Sequence, residues 1–240
     1  MGVVFSKIYE IFMGVGETVY QSIIYDNRYK FILEGIWNTI IIALFSVLIG
    51  TIIGVIVALI RNNYDRNDKM KTLNLIVKGY VDIIRGTPII LQLMIIYYVI
   101  FKSVDISVVL VGILAFGINS GAYVSEIIRA GIQSISVGQT EAGYSLGLRY
   151  GQIMRYIVLP QAVKNILPAL GNEFITLVKE TSVGAYIGII ELTKASDIIA
   201  SRTYDYFFPL VLVASIYFVI TFTLSKGVQF LERKLSYVKN

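Results

Sequence analysis

The chain contains no cysteine and no histidine, and only 15% of its residues are charged. Without thiols there is no disulfide, no thiolate nucleophile and no cysteine-ligated zinc. Without imidazole the commonest general acid–base group is missing. Soluble domains carry roughly 25% charged residues, so this chain lacks the polar surface that keeps a soluble enzyme dispersed. What it has instead is apolar side chains: 56% of 240 residues are hydrophobic and the mean hydropathy is +0.72. These values point to a polytopic membrane protein.

A helical span needs roughly 20 apolar residues. Gly35–Ile60 is 26 residues without a charge. Gly86–Phe101 is 16, with room to extend back through Ile83, and Ile106–Ser125 and Tyr206–Ser225 are 20 each. A fifth span over about Ile166–Ile190 is interrupted by Glu173, Lys179 and Glu180. The expected fold class is therefore all-α, with five transmembrane helices forming a core over 33–230. Ahead of it, segment 1–32 places Phe5, Ile8, Phe12, Val15, Val19 and Ile23 at helical spacing. That predicts an amphipathic helix on the membrane surface rather than a signal peptide.

Basic residues set the orientation. Segments 61–86, 126–165 and 226–240 hold 14 Lys and Arg, against 6 in 1–34, 102–105 and 191–205. The positive-inside rule places the first group in the cytoplasm, the N-terminus outside and the C-terminus inside. The net charge of +5 thus reads as topology and lipid contact. No concentrated basic groove suggests nucleic acid.

The cytoplasmic segment 126–165 is long for a connection and is not low-complexity. Glu141 to Gly147 reads as a short helix closed by a glycine. A second helix over about 150–158 is expected to end before Pro160. Glu141-Ala142-Gly143, Gly147 and Ile157-Val158-Leu159-Pro160 resemble the EAA loop of ABC importer permeases, with Gly143 in place of the second alanine. Arg85-Gly86-Thr87-Pro88 with Gln92 is similar to the motif that opens the second span of polar amino acid permeases. Gly121-Ala122-Tyr123, Glu126, Arg129, Gly131, Gly138, Gln139 and Lys179-Glu180-Thr181-Ser182 look like the same subfamily, whose members often carry Asp where Glu180 stands.

The resemblance implies a single permease domain with the type I ABC importer fold. It implies partners: ATP-binding cassette subunits, a second permease copy, most simply an identical one, and an extracellular or periplasmic amino-acid-binding protein. Glu141, Ala142, Gly147, Leu159 and Pro160 would dock the ATPase. No G-x-x-x-x-G-K-[ST] loop is present, so ATP and Mg would bind the partner, leaving this chain without cofactor, metal or catalytic residue. The resemblance also implies a substrate pocket between the third and fourth spans, formed by Phe116, Asn119, Ser120, Tyr123 and Glu173, with Gln92 either a further contact or a helix–helix hydrogen bond. A charge inside a span is costly, about 2.5–3.5 kcal/mol on insertion scales, so an unpaired Glu173 favours a cationic amino acid such as arginine, lysine or histidine. The alternative is a neutral polar substrate such as glutamine. An ion-coupled transporter would show internal repeats and a channel a filter motif; neither pattern is evident.

Three pairs, Gly50–Gly54, Gly117–Gly121 and Gly184–Gly188, have the small-xxx-small spacing that lets helices approach closely. Asp197, Arg202 and Asp205 are expected in an external loop over 191–209.

Overall fold

Apolar side chains at helical spacing, with few internal breakers, make every regular element a helix among the described residues. A computed structural model describes residues 14, 16–67 and 70–237. Helix α1 spans Tyr29–Asn67 and α2 Lys71–Gly86. Helix α3 covers Ile89–Ile95 and continues through a wide i→i+5 turn, Ile96–Ile100. Next come α4 (Val108–Gln133), α5 (Val137–Ser145) and α6 (Tyr150–Ile153), the last extended by a wide turn, Met154–Val158. Helix α7 runs Leu159–Glu180 and tightens into a 3₁₀ stretch, Thr181–Ile187; α8 (Leu192–Thr203) and α9 (Phe207–Tyr237) follow.

Among the described residues three helices are long and apolar enough to cross a membrane, within Tyr29–Tyr64, Val108–Gln133 and Phe207–Leu235. The pair α2 and α3 makes a fourth candidate, bent by 112°. Helix α7 has the length, but Glu173, Lys179 and Glu180 interrupt its apolar surface. Burial then sorts the bundle. The apolar window of α4 is 61% buried, that of α1 33% and that of α9 11%. Helix α4 is thus the central post, while α1 and α9 turn apolar faces outward, as lipid-facing helices must.

Close packing of α4 follows from its glycines. A Cβ on Gly50 would lie 2.7 Å from Ser120, and one on Gly54 2.6 Å from Val124. Gly117 and Gly121 accept Ile49 and Ile53 equally closely. The register rises together on both helices, so α1 and α4 run parallel. Ser46 Oγ adds a hydrogen bond to the Ile113 carbonyl, 3.1 Å. The third glycine pair does something else. Gly188 has φ +86° and ends the 3₁₀ stretch, and Gly184 packs on Ile189 of its own segment. It is a turn and cap, not a helix-packing stripe.

Helix α7 returns antiparallel along α4: Ile166 meets Gly131 and Glu173 meets Ser120. A core of Ile42, Leu93, Phe116, Leu177, Val178 and Ile189 joins α1, α3, α4 and the α7 segment.

Three expectations need correction. The third span does not stop at Ser125 but continues to Gln133, narrowing the connecting segment to 134–158. The helix at 150–158 does not end before Pro160. Its wide turn hands over to α7, where Pro160 sits in the first turn, a position in which its missing N–H strands no partner. Helix α7, which covers the fourth expected span, accordingly starts from Leu159. Segment 191–209 is no simple loop, since α8 occupies most of it. Of the surface helix expected over 1–32, residues 1–13 and 15 lie outside the described residues; 16–24 is helical, a tight turn follows at 25–27, and α1 begins at Tyr29.

Candidate functional site

Helix α4 presents Phe116, Asn119, Ser120 and Tyr123 at intervals of three and four, one face of a helix. Helix α7 lies against that face. Ser120 Oγ donates to Glu173 Oε1 at 2.8 Å, so two residues picked from distant parts of the chain meet. Glu173 forms no ion pair with any Lys or Arg among the described residues. Its partner is a hydroxyl, which leaves most of the carboxylate's four acceptor sites unmet.

Asn119 is 3% exposed, and its Nδ2 donates to Gln92 Oε1 at 2.9 Å. Gln92 Nε2 in turn donates to the carbonyls of Ile84 and Thr87 and to Thr87 Oγ1, at 2.8, 3.1 and 2.8 Å. Gln92 is thus a helix–helix hydrogen bond that also braces the α2–α3 bend. Phe116 is fully buried in the apolar core, where it packs the wall behind the face and offers no surface to a ligand in this conformation. Tyr123 is 38% exposed, and the Arg85 guanidinium lies 5.7 Å from its ring centre. An open cavity of about 440 Å³ lies further along α7, lined by Ser134, Gln139, Gln161, Lys164, Asn165 and Glu232.

The second candidate region is the knob formed by α5 and α6. Gly147 has φ +77°, a left-handed conformation that glycine adopts without strain. Its neighbour Leu148 donates its N–H to the Gly143 carbonyl, 3.1 Å, closing the helix end. Gly143 itself is buried, and a Cβ there would lie 2.8 Å from Ile153. The glycine that replaces alanine in the motif therefore lets α5 settle onto α6. Glu141, Ala142, Leu159 and Pro160 are all exposed, alongside Val137, Tyr144 and Leu146. Glu141 thus stands among exposed apolar side chains of α5 and α6.

Two polar nodes received no role from sequence, although Glu126 belongs to the resembling motif. Glu126 on α4 accepts from Arg61 of α1 and from Arg129, the latter at 2.7 Å, and Arg85 stands 3.6 Å away. Glu191 is completely buried. It caps α8 by accepting from the N–H groups of Thr193 and Lys194, at 2.8 and 2.7 Å, and takes a third bond from the Tyr217 hydroxyl, 2.9 Å. Glutamate is not among the preferred N-cap residues, so no cap signal for it was legible in sequence. Asp205 likewise accepts from the N–H of Phe207 at the start of α9, Asp197 pairs with Lys194, and Arg202 with Asp26.

The family model described as the binding-protein-dependent transport system inner membrane component matches residues 50–237. Among curated relatives, the putative glutamine transport system permease protein GlnP of Rickettsia bellii is 39% identical, covering 88% of this chain and 95% of its own. The arginine transport system permease protein ArtQ of Bacillus subtilis is also 39% identical, over 85% of this chain and 92% of its own. A crystal structure of an amino acid ABC transporter with histidines matches with a TM-score of 0.80 and 42% identity, over 86% of this chain and 94% of that one. An inward-facing structure of the MetNI methionine ABC transporter matches with a TM-score of 0.68 at 21% identity, a likeness of fold.

Proposed function

The chain belongs to the family of binding-protein-dependent transport system inner membrane components and is an amino-acid ABC importer permease, and on that footing we propose that it carries a basic amino acid past Glu173. The observation that carries the proposal is the Glu173–Ser120 pair. A carboxylate held within the bundle by one hydroxyl, with no ion-paired cation among the described residues, lacks the compensation that a buried charge needs. A substrate ammonium or guanidinium supplies it. Asn119 and Ser120, both buried in this conformation, serve the α-carboxylate and α-ammonium once the α4–α7 contact opens, and the Tyr123 ring serves the aliphatic stem. An arginine-transporting and a glutamine-transporting relative are equally similar to the chain. A neutral polar substrate is the second reading, favoured by the Asn119–Gln92 amide pair, whose groups match those of a carboxamide.

The transporter works by alternating access. A binding protein delivers the amino acid to an outward-facing cavity between two permease copies, which we take to be identical. The knob carrying Glu141 and Ala142, turned at Gly147 and ending near Leu159 and Pro160, docks an ATPase subunit in the cytoplasm. ATP binding there draws the ATPase pair together and rocks the spans as near-rigid bodies. The ATP and Mg sites belong to the partner.

Glu173→Gln tests the substrate assignment. Loss of a charged hydrogen bond is worth about 1.5–3 kcal/mol, or roughly ten- to a hundredfold. Uptake of L-arginine into vesicles holding the complete transporter should fall by that factor, with L-glutamine uptake little changed. Equal losses for both would remove the basic-substrate proposal. An arginine rate that does not fall would remove Glu173 from the path.

A further inference from the structure

We infer that Arg85 is a positioning residue of the transport cycle: it latches the α2–α3 elbow onto α4, and the latch opens when substrate engages the α4 face.

Helices α1 and α4 form one body. Their glycines leave no slack between the backbones, and Ser46 bonds across the contact. The elbow is a different kind of joint. Thr87 and Pro88 are extended between α2 and α3, and the two helices diverge by 112°. Side chains hold it to the post. Gln92 braces the inside of the bend and reaches Asn119. The Tyr80 hydroxyl donates to the Ile118 carbonyl. Arg85, in the last turn of α2, spans from the elbow to Glu126 and lies over Tyr123.

These contacts are not equal. Three guanidiniums surround Glu126. Two of them, Arg61 and Arg129, belong to the α1–α4 body and sit at close range. Arg85 is the third, at 3.6 Å, and the most exposed of the three at 45%. It is also the member of this set that comes from the elbow. Its release leaves Glu126, a half-buried carboxylate, compensated by the other two, so the latch can open without stranding a charge. A link that is weak, solvent-facing and backed by spare partners is suited to switching. A link such as Arg61–Glu126 is suited to permanence.

Both switchable contacts end on residues of the substrate face. Gln92 ends on Asn119 and Arg85 on Tyr123. An amino acid that takes the Asn119 amide or slides along the Tyr123 ring competes with the elbow for the same groups. Occupancy of the face and closure of the elbow are then linked, and the linkage is reciprocal. The latch presupposes the substrate face proposed above.

The test uses the transporter reconstituted with its ATPase subunits and binding protein, with L-arginine as probe. ATP hydrolysis is measured without substrate and then with loaded binding protein. In Arg85→Gln the basal rate should rise on the order of fivefold, the low end of measured couplings between sites, and the stimulation ratio should fall toward one. Arg85→Lys keeps a cation of similar reach and should stay close to the parent. Arg85→Met keeps the stem over Tyr123 without the charge; it should behave as the glutamine variant does, and it stands in if that variant fails to assemble. Neutral variants with the parent's basal rate and ratio would overturn the latch. So would a fall of both rates together at constant ratio, the mark of a purely structural role. Glu173→Gln is assayed alongside. If its arginine uptake matches the parent's while Arg85→Gln raises basal hydrolysis, the substrate assignment fails and the elbow contact keeps its restraining role without the substrate trigger.

Discussion

Glu126, Glu173 and Glu191 lie in or beside apolar surroundings, and their neighbours give each a separate task. Glu126 is held by guanidiniums and ties helices together. Glu191 is held by two backbone N–H groups and a phenol, so it organises α8 and α9. Glu173 has a single hydroxyl and remains able to bind something else. Glu191→Ala therefore removes a cap and strands three donors. The expected cost is about 2–4 kcal/mol, combining a lost cap with unsatisfied buried groups. It would be read as a lower thermal unfolding midpoint of the purified protein. Glu34→Ala, at an exposed position, should leave the midpoint near the parent's. If the two midpoints agree, Glu191 is not the structural node its contacts suggest. Residue identity alone separated none of these acids; each is a glutamate, and the partners that distinguish them come from segments as far as 65 positions away.

At the scale of the helix, glycine placement decides how near two helices come. A Cβ on Gly54 would lie 2.9 Å from the Ser125 backbone nitrogen, which has no flexible end to yield. Gly54→Leu must push α1 off α4, and overpacking of this kind costs about 1–3 kcal/mol. Gly79 of α2 has no atom within 4 Å of the same position. Gly79→Ala should be neutral or gain up to about 1 kcal/mol from helix propensity. Thermal midpoints of the two variants should move in opposite directions or differ by several degrees; similar shifts would refute close α1–α4 packing. The spacing of Gly50, Gly54, Gly117 and Gly121 made that contact legible in sequence. Gly184 and Gly188 carry the same spacing with a different outcome, because a positive φ at Gly188 ends a helix and spacing does not report backbone angle. The run past Pro160 was hidden for a related reason. A wide turn shifts the hydrogen-bond register ahead of the proline, and no composition signal marks such a turn.

At the scale of the whole molecule, the chain's lack of cysteine makes its topology easy to test. Ser145 lies at the end of the docking knob and Ser201 in α8, both exposed. In intact cells a membrane-impermeant thiol reagent should label Ser201→Cys and spare Ser145→Cys; inverted vesicles should give the reverse. The opposite pattern would overturn the orientation and, with it, the docking of a cytoplasmic ATPase at Glu141. The sequence by itself determined the solvent, since a chain with so little charge can hide its apolar surface only in lipid. It also determined the helix end at Gly147, because a glycine-closed helix is a local feature that neighbouring residues specify, and it named the two faces that meet at Ser120 and Glu173 through a family likeness. Only the tertiary structure decided what those residues touch. It turned Phe116 into the core, bound Gln92 to Asn119, and gathered Arg61, Arg85 and Arg129 around Glu126. Hydrogen bonds and ion pairs act over a few ångströms in space, and which charges come within that reach is set by how the helices pack rather than by their separation along the chain.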